Sequence, residues 1–250
     1  YLVQDRRTKQ IYETPQVLYM MIAATLFSNY KEDRLKYVKE YYDAISQFYI
    51  SLPTPIMAGV RTPTRQFSSC VLIESGDSLN SINSTASSIV RYISKKAGIG
   101  IGAGSIRGIG AKIGDGSVVH TGLIPFLKYF QAAVKSCSQG GVRGGAATVY
   151  LPIWHYEFED LVVLKNNKGT EETRVRHMDY AFQFNKLMYT RLIEGGNITF
   201  FDPNDVPGLY DAFFSDQDKF QELYEKYERA TSIRKKVLPA LDVFQMFLTE

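Results

Sequence analysis

Residues 97 to 116 read AGIGIGAGSIRGIGAKIGDG, so eight of these twenty residues are glycine. Glycine loses more conformational freedom on folding than other residues and adds no side chain to a core, so a need other than packing must account for the segment. Closely spaced amide N–H groups without side chains form concave surfaces that attract anions. Arg107 and Lys112 add positive charge to the stretch. The segment therefore indicates a phosphate-binding loop.

Two other interpretations of this segment are weaker. Gly98, Gly100 and Ala103 match the dinucleotide-binding pattern GxGxxA, but that pattern works only where a helix begins inside it. Here the glycine-rich sequence continues to Gly116 instead. A Walker loop is excluded because the sequence has no Gly-Lys-Ser or Gly-Lys-Thr. A mobile surface loop is the alternative that composition alone allows.

Composition indicates a folded protein without a broad nucleic-acid groove. Of 250 residues, 45% are hydrophobic and 13% aromatic, enough for a full core, and the net charge is only +3. The longest nearly unbroken apolar run, residues 17–27, is too short to cross a bilayer. His120, His155 and His177 are scattered, so no metal site is expected. Two cysteines without a CxxC pair are typical of a reducing, cytoplasmic compartment.

Strands and helices alternate along the chain. The predicted class is α/β with a mostly parallel sheet, open or closed as a barrel. The predicted helices are 15–27, 31–50, one that begins after Ser78, 122–137, 155–164, 179–194 and two within 216–250. The predicted strands are 67–74, 98–104, 146–154 and 197–203, and residues 51–65 are expected to be extended because they contain three prolines.

Residue types alone leave several roles open. Asp77 follows a predicted strand and precedes a helix, so it caps that helix, faces a ligand at the sheet edge, or, together with Ser78, does both. Cys70, within a predicted buried strand, is by default an inert thiol, with a redox role as the alternative, and the same holds for Cys137. Residues 138–145, SQGGVRGG, form either a glycine-rich helix end or a second anion-binding loop around Arg143.

Longer motifs are more specific. The chain contains SLPTPIMAGVRTPTRQFSSCVLIE, GDSLNSI, KKAGIGIG, HTGLIPFLKYFQAAVKSCSQGGVRGGAAT, LVVLKNNKG, RVRHMDY and DVPGLYDAFF. Together these motifs resemble the large, catalytic subunit of class I ribonucleotide reductases over essentially all 250 residues. The resemblance implies a partial ten-stranded α/β barrel, its first half-barrel with preceding helices. Residues 1–250 would be a single partial domain, a fragment that lacks the family's N-terminal cone and C-terminal half.

The resemblance also implies an activity and a set of substrate residues. The family reduces ribonucleoside diphosphates to deoxyribonucleoside diphosphates by a radical mechanism, for DNA precursor synthesis. Cys70 matches one of two cysteines that supply electrons and end as a disulfide, and its partner lies beyond Glu250 in the family pattern, so Cys137 is not expected to be that partner. Thr54, Ser69, Ala97 and Gly98 match substrate-binding positions.

Allosteric residues follow from the same resemblance. Asp77, Ser78, Leu79 and Arg107 match the site of a deoxynucleoside triphosphate or ATP effector. Some relatives carry a second arginine where this chain has Gly114, so Lys112 or main-chain amides are expected to replace it. The loop that relays the effector's identity to the substrate site is matched by Cys137, Ser138, Gln139, Gly140, Gly141, Val142, Arg143, Gly144, Gly145 and Ala146.

The resemblance further implies partners and no cofactor bound in this chain. A metal-containing small subunit would supply the radical, thioredoxin or glutaredoxin would restore the dithiol, and two large subunits would form a homodimer. No nucleic-acid or membrane partner is expected. The alternative is a non-catalytic nucleotide-binding fragment of a split or decayed reductase.

Overall fold

Two compact units make up the chain in this computed structural model, which describes residues 1–139, 141 and 143–250. The first unit contains Tyr1–Val71 and Ser94–Ala97, and the second contains Leu72–Ile93 and Gly98–Glu250. The single partial domain that the sequence predicts depends on the relative placement of these units, and it stays a prediction.

The first unit is helical. Its helices are α1 (Pro15–Leu26), α2 (Arg34–Ser46) and α3 (Thr54–Gly59). Helix α1 starts as predicted, with the Thr14 side chain accepting a hydrogen bond from the Val17 amide and Pro15 at the first position. Helix α2 is shorter than residues 31–50.

The prediction that residues 51–65 are extended is wrong for α3. Pro55 lies in the first turn of this short helix, where the N–H that proline lacks would have no partner within the helix. Leu18, Ile22 and Val60 form the core of the unit.

The second unit mixes helices and strands. Strand β1 (Cys70–Glu74) begins in the first unit and ends in the second. The elements that follow are α4 (Leu79–Ser94), β2 (Gly98–Gly102), β3 (Lys112–Ile113), β4 (Val118–Val119), α5 (Leu123–Ser136), β5 (Ser138–Gln139), β6 (Arg143–Gly144), β7 (Ala147–Pro152), α6 (Phe158–Val162), β8 (Asp179–Gln183), α7 (Lys186–Ile193), β9 (Asn197–Phe201), α8 (Leu209–Ser215), α9 (Gln217–Arg229), β10 (Lys235–Pro239) and α10 (Ala240–Thr249).

A four-stranded sheet organises this unit, in the order β1-β2-β7-β8. Strands β2 and β7 pair in parallel, as do β7 and β8. The apolar faces of α4 and α5 bury Ile89 and Phe130 in one cluster with Ile101 and Val149 of the sheet. The α/β class with a parallel sheet is therefore confirmed, whereas the ten-stranded barrel stays a prediction.

The glycines of β2 make room for β1. Side chains alternate between the two faces of a strand, so Ile99 and Ile101 enter the core while Gly100 and Gly102 face the other side. A Cβ atom at Gly100 would lie 2.5 Å from Leu72 Cδ2, and one at Gly102 would collide with the Glu74 carboxylate. Side chains of β1 lying over Gly100 and Gly102 account for the glycines in this half of the segment.

Several predicted elements are wrong. Residues 179–183 and 235–239 were expected to be helical but form β8 and β10, and β10 pairs antiparallel with β9. The predicted helix 155–164 is reduced to Phe158–Val162. The predicted buried strand 67–74 is shorter and begins at Cys70, and its residues alternate between exposed and half-buried because β1 lies at the edge of the sheet.

A membrane-spanning helix would have to be longer and more apolar than any helix found in the described residues.

Candidate functional site

A cavity of about 390 Å³ lies where α4 begins. Four predicted residues, Asp77, Ser78, Leu79 and Arg107, come together in its wall. The rest of its lining is formed by Ile82, Ile113, Gly114, Val118, Val119, His120, Thr121 and Phe126. The structure thus brings most of the predicted effector residues to one place.

Arg107 and Asp77 form the charged side of this cavity. The guanidinium donates from Nε to Asp77 Oδ2 and from Nη1 to the Lys112 carbonyl, each at 2.8 Å, and its Nη2 forms an ion pair with Asp77 Oδ2 at 2.7 Å. The side-chain hydrogen bond that Arg107 donates to Asp77 raises the pKa of Arg107, which therefore stays charged. These hydrogen bonds use two of the five guanidinium N–H groups, which leaves others to donate to a ligand oxygen.

Ser78 caps α4, since its Oγ accepts a hydrogen bond from the Ser81 amide at 3.2 Å. Asp77 binds Arg107 instead. Its carboxylate pairs with the Arg107 guanidinium, and its Oδ1 accepts a hydrogen bond from the Arg107 amide N–H at 3.1 Å. Of the two roles open for Asp77, the contacts favour a place in the cavity wall over a helix cap.

Lys112 contacts Arg107 through its backbone carbonyl, not through its side chain. It lies in β3, which pairs with β4, and its side chain is exposed. Gly114 lines the cavity with φ of +59°, and a Cβ atom there would meet nothing within 4 Å. The replacement of an arginine at this position by Lys112 stays a prediction.

The remaining lining of the cavity is largely apolar. The His120 ring stacks on Phe126 with centroids 5.5 Å apart, and its Nδ1 accepts the Gly122 amide N–H at 3.1 Å. Burial lowers the pKa of His120, so the ring is neutral near pH 7. A cavity lined both by a charged arginine and by apolar and aromatic side chains suits a ligand that joins an anionic group to a flat ring.

Beneath Arg107, three successive amides of the glycine-rich loop donate to carboxylates of the chain itself. The Arg107 amide binds Asp77, the Gly108 amide binds Asp202 Oδ2 at 2.9 Å, and the Ile109 amide binds Glu157 Oε2 at 2.9 Å. The expectation that bare amides here wrap a phosphate is therefore wrong for these three amides, because internal anions already occupy them. The loop's positive charge at the cavity comes from the Arg107 side chain.

Residues 155, 157 and 202 are the functional candidates that sequence reasoning missed. All three side chains are buried. Like the two carboxylates, His155 contacts the backbone of the glycine-rich loop, since its Nε2 lies 2.9 Å from the Ile106 carbonyl oxygen. A signal existed in the sequence. His155 and Glu157 follow strand β7, and Asp202 follows β9, and polar residues placed directly after buried strands often form sites.

The predicted substrate residues are divided between the units. Thr54, Ser69, Cys70 and Ala97 belong to the first unit and Gly98 to the second. Cys70 is a free thiol and is exposed, so the expectation of a buried thiol at this position is wrong. Whether these residues act together stays a prediction.

Within the predicted relay loop, two short antiparallel strands lie just before β7. Ser138 and Gln139 of β5 pair with Gly144 and Arg143 of β6. Of the remaining predicted residues, Cys137 is half-buried, Gly141 has φ of +75°, Gly145 is buried and Ala146 accepts a hydrogen bond from the Ile99 amide. Gly140 and Val142 lie outside the described residues.

Metal binding has no obvious place in the described part of the chain, where His, Cys, Asp and Glu side chains do not gather in groups of three or more that could hold an ion.

Comparison with known proteins identifies the family. The family model described as ribonucleotide reductase, barrel domain, matches residues 68–250, and the model described as ribonucleotide reductase, all-alpha domain, matches residues 1–65. The chain belongs to the ribonucleotide reductase large-subunit family. The boundary between these two models falls close to the end of the first unit's main segment at Val71.

Individual reductases are similar over the whole chain. The ribonucleoside-diphosphate reductase subunit alpha of Haemophilus influenzae is 66% identical, that of Escherichia coli is 65% identical, and that of Enterobacteria phage T4 is 60% identical. Each alignment covers 100% of this chain and 33% of the relative. The chain thus spans about a third of the length of the curated relatives it matches.

Proposed function

We propose that the protein containing this chain reduces ribonucleoside diphosphates to deoxyribonucleoside diphosphates. The observation that carries the proposal is the 66% identity, over all of this chain, to a protein named ribonucleoside-diphosphate reductase subunit alpha. Such identity along the full chain supports the same fold and the same chemistry for the corresponding segment.

Cys70 is the proposed reductant in this chain. Replacing the ribose 2′-hydroxyl by hydrogen consumes two electrons, which a pair of thiols provides as it becomes a disulfide and the hydroxyl leaves as water. The second thiol would come from the family pattern beyond Glu250. Thr54, Ser69, Ala97 and Gly98 would contact the substrate. The exposure of Cys70 supports the proposal, because a reducing thiol must be reachable by its substrate and its own reductant.

The proposed partners follow from the same chemistry. A small subunit would generate the radical with its metal, thioredoxin or glutaredoxin would reduce the disulfide, and two large subunits would associate.

The direct test uses the protein at its full natural length with its small subunit, the four ribonucleoside diphosphates and dithiothreitol. We expect deoxyribonucleoside diphosphates by chromatography, with rates that change when a nucleoside triphosphate is added. Nucleotide binding without any deoxy product would instead favour the non-catalytic nucleotide-binding fragment.

We also propose that the cavity at the start of α4 binds the nucleoside triphosphate effector. Its support is the juxtaposition of the Arg107 guanidinium with an apolar wall that contains the Phe126 ring. Arg107 would bind phosphate oxygens, the apolar wall would hold the base, and Asp77 would orient Arg107 or accept from a sugar hydroxyl. Loop 137–146 would carry the effector's identity to the substrate, since a coupling of about 1 to 3 kcal/mol needs only a few rearranged hydrogen bonds.

Replacement of Arg107 tests this site. Arg107→Ala should weaken binding of the effector triphosphate by about 1.5 to 3 kcal/mol, because a charge-assisted hydrogen bond is lost. Isothermal titration calorimetry on the full-length protein measures this loss. The matched control is Arg191→Ala, since Arg191 is likewise paired with a carboxylate, Glu228, at 2.7 Å but does not line the cavity. Unchanged affinity in Arg107→Ala, or an equal loss in both variants, would move the effector site elsewhere.

A further inference from the structure

We infer that Asp202 and Glu157 are positioning residues that hold the backbone of residues 108 and 109 and thereby place Arg107 at the cavity. The inference deepens the proposed effector site and rests on it. Neither carboxylate lines the cavity, so each would act on the ligand through Arg107.

Asp202 fixes the loop from the interior of the second unit. Its side chain is fully buried, and Oδ2 accepts both the Gly108 amide at 2.9 Å and Arg234 Nη2 at 2.8 Å. The same arginine donates from Nη1 to the Ile109 carbonyl and lies 4.2 Å from the Tyr156 ring centroid. Asp202 and Arg234 together therefore bind the Gly108 amide N–H, directly after Arg107, and the Ile109 carbonyl.

Glu157 joins the loop to a helix. Its Oε2 accepts the Ile109 amide at 2.9 Å and the amide of Leu123, the first residue of α5, at 3.1 Å. A carboxylate at a helix N-terminus also gains from the helix dipole. Gly122, just before the helix, has φ of +94°, and a Cβ atom there would lie 2.6 Å from Glu157 Oε1. The local sequence thus leaves space for this carboxylate.

Gly108 lies between the two carboxylates. A Cβ atom there would be 3.2 Å from Glu157 Oε2 and 3.3 Å from Asp202 Oδ2. A glycine-rich loop has few side chains of its own to hold it in a core, and its backbone has many accessible conformations. Charged acceptors on successive amides select one of these conformations. They hold residues 108 and 109 in place, and residue 107 directly before them is held toward the cavity.

The test measures effector affinity in Asp202→Asn and Glu157→Gln on the full-length protein. Each variant keeps the side-chain size but turns a charged acceptor into an amide whose NH₂ group opposes the backbone N–H donors. We expect the dissociation constant of the effector triphosphate to rise about five- to thirtyfold. This rise does not exceed the one that loss of a charge-assisted hydrogen bond to the ligand would cause. If one of the two variants fails to fold, the other still tests the inference.

Glu228→Gln is the matched control, because Glu228 also pairs with an arginine and accepts from Thr199 Oγ1 at 2.7 Å but contacts no residue of the loop. It should lower the melting temperature and leave the dissociation constant unchanged. An equal loss of affinity in this control would mean general destabilisation and would overturn the inference.

The double variant Arg107→Ala, Asp202→Asn separates the inference from the proposed function. If Asp202 acts through Arg107, the double variant should bind no more weakly than Arg107→Ala alone. Additive losses, or unchanged affinity in Asp202→Asn when Arg107→Ala is impaired, would overturn the positioning role and leave the effector site standing. Unchanged affinity in Arg107→Ala itself would remove both.

Discussion

At the residue scale, buried polar side chains form hydrogen bonds with the backbone of the glycine-rich loop. His155 is fully buried between the Ile106 carbonyl, which its Nε2 contacts, and the Glu157 amide, which its Nδ1 contacts at 3.2 Å. A carbonyl accepts and an amide donates, so the ring carries its proton on Nε2 and is neutral. Burial lowers the pKa of His155 to about 4. Protonation would remove the acceptor that the Glu157 amide needs.

Acidification should therefore destabilise the second unit through His155. Between its ordinary pKa of 6.5 and its folded pKa of about 4, the unfolded chain binds the proton and the folded chain does not. The free energy of unfolding should fall by about 3 kcal/mol as the pH falls through this window, and the contribution should be fully present above pH 6.5. His155→Gln, which can keep both hydrogen bonds without titrating, should flatten this dependence. Urea denaturation followed by fluorescence of Trp154, the single tryptophan, measures it.

His177→Gln serves as the control, because the side chain of His177 is exposed. It should leave the pH dependence of the parent chain unchanged. Equal slopes for the parent and His155→Gln between pH 6.5 and 4 would contradict the buried, neutral state of His155.

At the element scale, the sequence predicted those elements whose pattern is set locally. The capping of α1 by Thr14 and of α4 by Ser78 was predictable because capping depends on neighbouring residues. Strand β10 was not, since its residues are ordered by antiparallel pairing with β9, some forty residues earlier. Strand β1 was predicted too long because composition does not reveal which strand lies at a sheet edge.

The candidate site divides in the same way. The family motifs around Asp77 and Arg107 predicted these residues as a site, and in the structure both residues line the same cavity. The contacts of Asp202 and Glu157 with this loop were not predictable, because they join residues 94 and 48 positions apart in the chain, respectively. The glycines of β2 also needed the structure, which shows Leu72 and Glu74 in the space that side chains would fill.

At the scale of the whole molecule, the proposed chemistry needs more than this chain alone. The 250 residues correspond to about a third of the relatives' length, and the proposed dithiol takes its second cysteine from the family pattern beyond residue 250. The proposed effector cavity lies wholly in the second unit, whereas the proposed reducing thiol belongs to the first. Effector control over reduction is therefore a property to be measured on the full-length protein.

The most direct measurement compares turnover of the full-length protein with that of Cys70→Ser and Cys137→Ser, using its small subunit, a ribonucleoside diphosphate and dithiothreitol. Removing the proposed electron donor should abolish formation of the deoxyribonucleoside diphosphate while substrate binding stays close to that of the parent. The control, Cys137→Ser, removes the only other thiol of this sequence and should still turn over. Full turnover by Cys70→Ser would contradict reduction by this thiol.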